Sequence, residues 1–506
     1  MLFVRKGDMY IAQIKNNNTM KKSIWIFFTV ILTVIVAFSL YQHFNSTSSS
    51  NILSDTASYN ITKKVESNDK LIDNKLQASD TIVQANEIAE VKQKNSNINS
   101  NVSPVAAVKK DSDTLNLRDF GVMGNGKNET TGFQKALDAS AGKILFIPKQ
   151  QGTYYLTRQL RIPSNSTLVF DSKVIVQATD DLVQNHANFE VLFRIENANN
   201  VNIKGNNALF RMNKSAYKSE HNHIFMINGS SNVSINKARA NNSGGDGFYI
   251  GAYKTKKSFC ENIEVSNCIA DNNRRQGLSV ISVKDLIVKG STFSNTKGTS
   301  PASGVDIEPN NNIDLLQNIK FIDCKAISNQ RRGFMIQLSK VKSNAKNVSI
   351  IFENCNADGN IYGFASMYFD DNVKGSVKFI SCIASNSKYS GFVEESCSAS
   401  GVIKSYLSCT GSNNNLSGSK SISSGSSDFY IYDSKVKKRT KIGNSIFKNC
   451  KSIDKNGNIS NGLGIISTDL VKAENIDISN FITEGRQKQK IFLSKSLSKN
   501  QNILIQ

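Results

Sequence analysis

The chain has 506 residues, a formal net charge of +21, 31 glycines and only 5 prolines. Scarce proline with abundant Asn, Ser and Lys excludes a collagen-like or globally disordered chain and favours short Asn- and Gly-containing turns. The charge favours anionic partners, namely acidic polysaccharide, a membrane surface or nucleic acid. No zinc finger, helix-turn-helix pattern or aromatic RNA-binding signature accompanies it, so nucleic acid is not expected.

Residues 1–23 read as a short cytoplasmic or pre-anchor segment, with Met20 as an alternative start. Residues 24–41 form a nearly unbroken apolar run behind Lys21 and Lys22, long enough to approach the hydrocarbon thickness of a bilayer. They are expected to be an uncleaved signal anchor that leaves the remainder outside the cytoplasm, periplasmic or at the cell surface; a cleaved signal peptide is the alternative. Residues 42–112, rich in Ser, Asn, Lys and Gln, read as a flexible spacer. A folded domain is expected over 113–506. It opens strand, Gly-rich turn, helix, strand, with Phe133, Ala136 and Leu137 at helical spacing, and the helix is expected to plug the first turn. Gly121, Gly124 and Gly126 match neither a phosphate loop nor a dinucleotide fingerprint.

A phrase of apolar residue, Asn or Ser, Cys, about nine residues and Gly then recurs at Cys268 with Gly277, Cys324 with Gly333, Cys355 with Gly363 and Cys382 with Gly391. It fits without cysteine at Ala238 with Gly247 and at Phe293 with Gly304, giving intervals of roughly 25–31 residues. A period of that size built from strands predicts a solenoid. Alternation after each Gly turns the first and third residues inward and the second and fourth outward. Cys268, Cys324, Cys355 and Cys382, continued by Cys409 and Cys450, share one phase and are expected to be a buried, reduced ladder. No close cysteine pair with a neighbouring histidine suggests zinc, and no metal or cofactor is expected. Residues 411–427 read as an excursion, and a C-terminal cap is expected after Phe481.

Asp119, Phe120, Gly121, Gly124, Gly126, Phe133, Gln134, Ala136 and Leu137 together resemble the N-terminal cap of the pectate lyase superfamily. Asn128 and Glu129 stand where that cap usually carries acidic pairs. The resemblance spans 115 to about 485 and implies a right-handed parallel β-helix, the fold of pectate lyases, polygalacturonases, alginate epimerases and phage tailspikes. Fold does not decide activity.

The outward positions carry the candidate chemistry. Asp306 and Glu308 lie two apart on one strand, with Cα atoms about 6.6 Å apart, compatible with the carboxyl separation of about 6.5–9.5 Å in inverting glycosidases. Asp246 is a third acid two turns earlier. The pairs Arg274–Arg275 and Arg331–Arg332 occupy matching slots and suit carboxylate or sulfate. Tyr249, Ser279, Gln337 and Tyr362 complete the expected substrate-binding set. The Asn-Thr-Asp, Gly-Asp-Asp, Gly-His-Gly and Arg-Ile-Lys motifs of polygalacturonases and the Asp-Pro-His-Glu motif of alginate epimerases are missing, while His221 and His223 read as the edge of a binding cleft or a polar surface. The expectation is an exported enzyme hydrolysing an acidic bacterial polysaccharide. The alternatives are a polysaccharide lyase or uronate C5-epimerase, and a non-catalytic glycan-binding surface protein.

Overall fold

The computed structural model describes residues 4–5, 8–9, 113–252, 258–343, 346–418, 427–434, 440–459, 461–466, 470–494 and 502–506. Contacts divide the chain into Met1–Val83 and Gln84–Gln506. In the first unit the described residues are Val4–Arg5 paired antiparallel with Asp8–Met9. The expected anchor at 24–41 and spacer at 42–112 lie outside the described residues. Among those described, no helix is long and apolar enough to cross a membrane.

The second unit is a parallel β-solenoid of three sheets. Sheet 1 has 14 strands from Thr114–Asn116 to Ile503–Ile505, and sheets 2 and 3 have 12 each, running from Tyr155–Thr157 to Ile482–Gly485 and from Leu160–Arg161 to Gln489–Leu493. Consecutive strands of a sheet come from consecutive turns, so each turn visits all three sheets before rising one strand spacing. Parallel crossovers of this kind wind right-handed, and the domain is a right-handed parallel β-helix. The sheets continue past Phe481, where the cap was expected, because Ile482–Gly485, Gln489–Leu493 and Ile503–Ile505 still pair in register.

Helix α1, Thr130–Ala139, buries Phe133, Ala136 and Leu137. Phe133 meets Tyr155, on the end strand of sheet 2, edge to face at 6.0 Å. Inside the solenoid like side chains stack with the rise of the turns. The Phe334, Phe364, Phe392 and Phe429 rings lie 4.9, 5.0 and 4.7 Å apart, near the strand spacing.

The recurring phrase has a backbone cause. The residue before each ladder position takes a left-handed φ, as at Asn267 (54°), Asp323 (54°), Asn354 (53°), Ser381 (52°), Ser408 (55°) and Asn449 (56°), a conformation that asparagine tolerates best among residues with a Cβ. The next side chain then turns into the core. All eight cysteines are buried and none is in a disulfide. Those of the ladder donate to a carbonyl one turn back, for example Cys324 to Val288, Cys355 to Phe321 and Cys409 to Phe379 at 3.3, 3.5 and 3.2 Å.

Candidate active site

Sheet 3 presents an outward row in which each residue sits beside its counterpart on the next turn: Tyr249, Ser279, Asp306, Met335. The outward residues are not solvated as expected for a plain strand face, since Ser279 and Asp306 are each 1% exposed. Arg275 and Gln276, from the strand entry one turn before Asp306, explain part of this by folding toward it. Gln276 takes the Ser303 N–H on Oε1 at 2.9 Å and donates through Nε2 to Asp306 Oδ2 at 2.7 Å. Asp306 Oδ1 has no donor facing it.

Of the three expected acids, Arg275 bonds Asp246, Gln276 bonds Asp306, and Gln337 of the next turn bonds Glu308. Asp246 is fully buried, and its Oδ2 accepts from Ser279 Oγ at 2.8 Å and Arg275 Nη1 at 3.2 Å, leaving Oδ1 without a donor. Glu308 follows Asp306 on the same strand face and accepts from Gln337 Nε2 at 2.6 Å. Burial raises the Asp306 pKa well above the carboxylate range, reinforced by the adjacent Glu308 charge and eased by Arg275. Burial also raises Asp246, to about 6, with Arg275 and Ser279 pulling the other way. Burial thus disfavours the charge on both acids, and the bonds from Arg275 and Ser279 offset it at Asp246. Burial disfavours the Arg275 charge, yet Asp246, Asp306 and Glu220 outweigh it and hold the guanidinium above its usual pKa.

The N-terminal wall was not legible in the sequence as part of this constellation. His223 stacks on Tyr249 with centroids 4.8 Å apart and 15° between planes. Its Nδ1 accepts the Asp246 N–H at 2.9 Å, and burial, followed by the Arg275 charge, holds it well below its ordinary pKa. The 3.4 Å approach of Nδ1 to Asp246 Oδ2 is thus no ion pair, and Nε2 carries the ring proton. Glu220 lies 3.3 Å from Arg275 Nε, and His186 Nδ1 meets His221 Nε2 at 2.6 Å. Spacing placed His221 and His223 at a cleft edge, but their contacts run to loops that periodicity does not describe. Among the described residues, no group of three or more His, Cys, Asp or Glu side chains is arranged to hold a metal ion.

The four expected arginines part company. Arg275 bonds Asp246. Arg274 bonds Thr299 Oγ1 at 3.3 Å, Arg331 is exposed, and Arg332 lies one turn beyond Asp306, paired along the sheet with Tyr362. The two pairs stand two turns apart and out of step by one residue, because the register that joins Gln276 to Ser303 and Val305 to Phe334 puts Arg332 in line with Gln276 rather than with Arg275. Tyr362 likewise stands away from the acids, tilted against Tyr389 at 5.5 Å.

No family model and no curated protein matches the sequence. Solved structures do. The A-module of a mannuronan C-5 epimerase from Azotobacter vinelandii matches with a TM-score of 0.57 at 12% identity, over 77% of this chain and all of that one. A family 28 exopolygalacturonase from Yersinia enterocolitica matches at 0.52 and 11% identity, over 79% of each chain. The catalytic unit of an α-1,3-glucanase from Streptomyces thermodiastaticus matches at 0.51 and 12%, over 79% of this chain and 70% of that one. Together with the solenoid's winding and register, these likenesses give the chain the right-handed parallel β-helix fold of the pectate lyase-like proteins.

Proposed function

We propose that this protein is a carbohydrate-active enzyme that hydrolyses glycosidic bonds of an acidic polysaccharide at the Asp246–Arg275–Asp306 cluster. The observation that carries the reading is two buried carboxyls close enough to feel each other's charge, Asp246 bonded by Arg275 and Asp306 by Gln276, each with Oδ1 left without a donor. Asp306, whose pKa burial raises, is the general acid that donates to the leaving oxygen. Asp246, ionised above about pH 6, is the general base for water. Glu308 acts through Asp306, its charge helping to keep the acid protonated. Arg275 holds Asp246 and offers the cluster a cation for a uronate. Similarity of fold to proteins named for mannuronan and polygalacturonan supports the choice of an acidic polymer. Export, with residues 24–41 holding the body to a membrane, belongs to the same proposal. Release of the protein by washes that strip peripheral proteins would overturn that part.

Asp306→Asn and Asp246→Asn should each lower turnover of a responsive substrate by about 10²–10⁴-fold, the usual contribution of a general acid or base. Activity should rise as pH passes about 6, where Asp246 ionises, and fall again where Asp306 loses its proton. Glu308→Gln removes a like charge, so it should move the alkaline limb to lower pH. Wild-type turnover in both aspartate variants on such a substrate would overturn the assignment.

The stack of His223 on Tyr249 favours a second reading, in which the tyrosine exchanges a proton at C5 of a uronate whose carboxylate Arg275 neutralises. Elimination would create unsaturated ends absorbing in the ultraviolet, and epimerisation would change stereochemistry without shortening the chain. Hydrolysis would do neither and would release reducing ends.

A further inference from the structure

Sheet 1 changes character partway along its outer face. Its two outward columns are polar over the early turns, with Asn202, Ser234 and Glu264 in one and Lys204, Asn236 and Ser266 in the other. From the next turn on, aliphatic residues and lysines alternate. The first column runs Ile287, Lys320, Ile351, Lys378, Ser405, Ile446. The second runs Lys289, Ile322, Glu353, Ile380, Leu407, Lys448. The columns are out of phase, so every strand but Ile403–Leu407 sets one aliphatic side chain beside one charged side chain. Packing of the core does not ask for this pattern, because these side chains point away from it. Ile287 and Ile403 are each 42% exposed, and Ile322, Ile351, Ile380, Leu407 and Ile446 are part-exposed. Lys289, Lys378 and Lys448 are exposed and Lys320 part-exposed. Among the described residues none of these four lysines is in an ion pair, and Glu353 is the one acid in the two columns over these six turns.

A partner for this face must satisfy both halves of the pattern. An acidic glycan answers the lysines but leaves the aliphatic side chains in water. A second copy answers the aliphatic side chains but sets lysine against lysine. We propose that these later turns of sheet 1 dock on the surface of an anionic phospholipid bilayer. The ammonium groups reach the headgroup phosphates, while the lysine stems and the aliphatic side chains settle at the boundary between headgroups and acyl chains. Six strands at the spacing of a sheet give the contact a length of about 24 Å. Sheet 3, which carries the acids, is a different side of the solenoid. The inference is therefore independent of the hydrolase reading, and a docked sheet 1 leaves that site open. It is also separate from attachment through residues 24–41, which would tether the chain without choosing a side of the solenoid.

The test uses the full chain carrying Ile351→Cys, labelled with an environment-sensitive fluorophore. The native thiols are buried, so labelling of the folded protein is confined to the new one. A Lys325→Cys protein, labelled on the exposed outer face of sheet 2, is the control. Each is mixed with phosphatidylcholine vesicles containing a spin-labelled lipid quencher, with and without phosphatidylglycerol. With phosphatidylglycerol the label at position 351 should shift to the blue and be quenched, and the label at 325 should not. Without it, or in high salt, quenching at 351 should fall away as the headgroup attraction is lost or screened. Lys320→Gln/Lys378→Gln should weaken the contact by on the order of tenfold, with the melting midpoint unchanged, and the corresponding Arg variant should restore it. Quenching at 351 no greater than at 325 overturns the proposal, whether or not the protein is tethered to the vesicles. So does a blue shift at 351 without lipid that grows with protein concentration, which assigns the face to a second copy. An equal shift with polygalacturonate alone assigns it to an acidic polymer and overturns the proposal as well.

Discussion

At the scale of single residues, Gly251 shows how the site is shaped by what is missing. Its Cα lies under Tyr249, and an added Cβ would sit 2.5 Å from Tyr249 Cε1 and 2.9 Å from Asn228 Oδ1. The tyrosine ring can lie between this glycine and His223 only because no side chain intervenes. Gly251→Ala should therefore push the ring from His223 and depress turnover while the thermal midpoint changes little, since the residue ends its strand. Unaltered kcat/KM would show that the ring's placement does not matter. The sequence made the acids legible, since Asp306 and Glu308 share a face by period-2 alternation and Asp246 abuts a repeat glycine. It hid the wiring. Arg275 reaches Asp246 across 29 residues and His223 reaches it across 23, and loop-borne contacts leave no periodic trace. The same alternation marked Met335 as outward but gave no reason for an apolar residue there.

At the scale of the turn, the glycine of the repeated phrase is required by close approach rather than by a left-handed backbone. At Gly333 a Cβ would meet Gly363 O at 2.6 Å and both Ala357 Cβ and Asn360 Nδ2 at 3.0 Å. The asparagine in that contact belongs to a buried ladder at the corner between sheets 2 and 3. Asn360 Oδ1 accepts the Asn329 N–H at 2.9 Å while Nδ2 donates to Ala326 O at 2.9 Å, and Asn329 repeats the pattern toward Thr296 and Phe293. Asn360→Ala strands a buried N–H and a carbonyl, each costing about 1–3 kcal/mol. Urea titration should show a fall of a few kcal/mol, and a loss below about 0.5 kcal/mol would contradict the ladder's role. The period, the inward cysteines and the glycines were all readable, because a stacked turn must repeat its tight spots. A second buried device was not readable. Lys404 lies 3.5 Å from Glu394 inside the body, and Ser445 donates to the same carboxylate. Burial raises the Glu394 pKa, with the Lys404 charge opposing it. Lys404→Met leaves an acid that must take up a proton to stay buried. The variant should lose stability as pH rises through the carboxyl's raised pKa and regain much of it in acid, while Glu394→Gln/Lys404→Met should be flatter with pH. Melting curves from pH 4 to 8 distinguish these outcomes.

At the scale of the whole molecule, stacking makes stability nearly a sum over turns and their interfaces. Function can then occupy the outside of one sheet without disturbing the interior, which is why fold and activity separate so readily here. The thiols of the interior can be counted. Labelling after denaturation, without reductant, should modify all eight cysteines, and an intact mass lower by two hydrogens per bridge would contradict the ladder. Burial raises the thiol of Cys268 to about 12 and those of Cys355 and Cys409 higher still, far from the thiolate needed for exchange. The native body should therefore hold the same covalent state in reducing and in oxidising surroundings, and equal intact masses after incubation in each would bear this out.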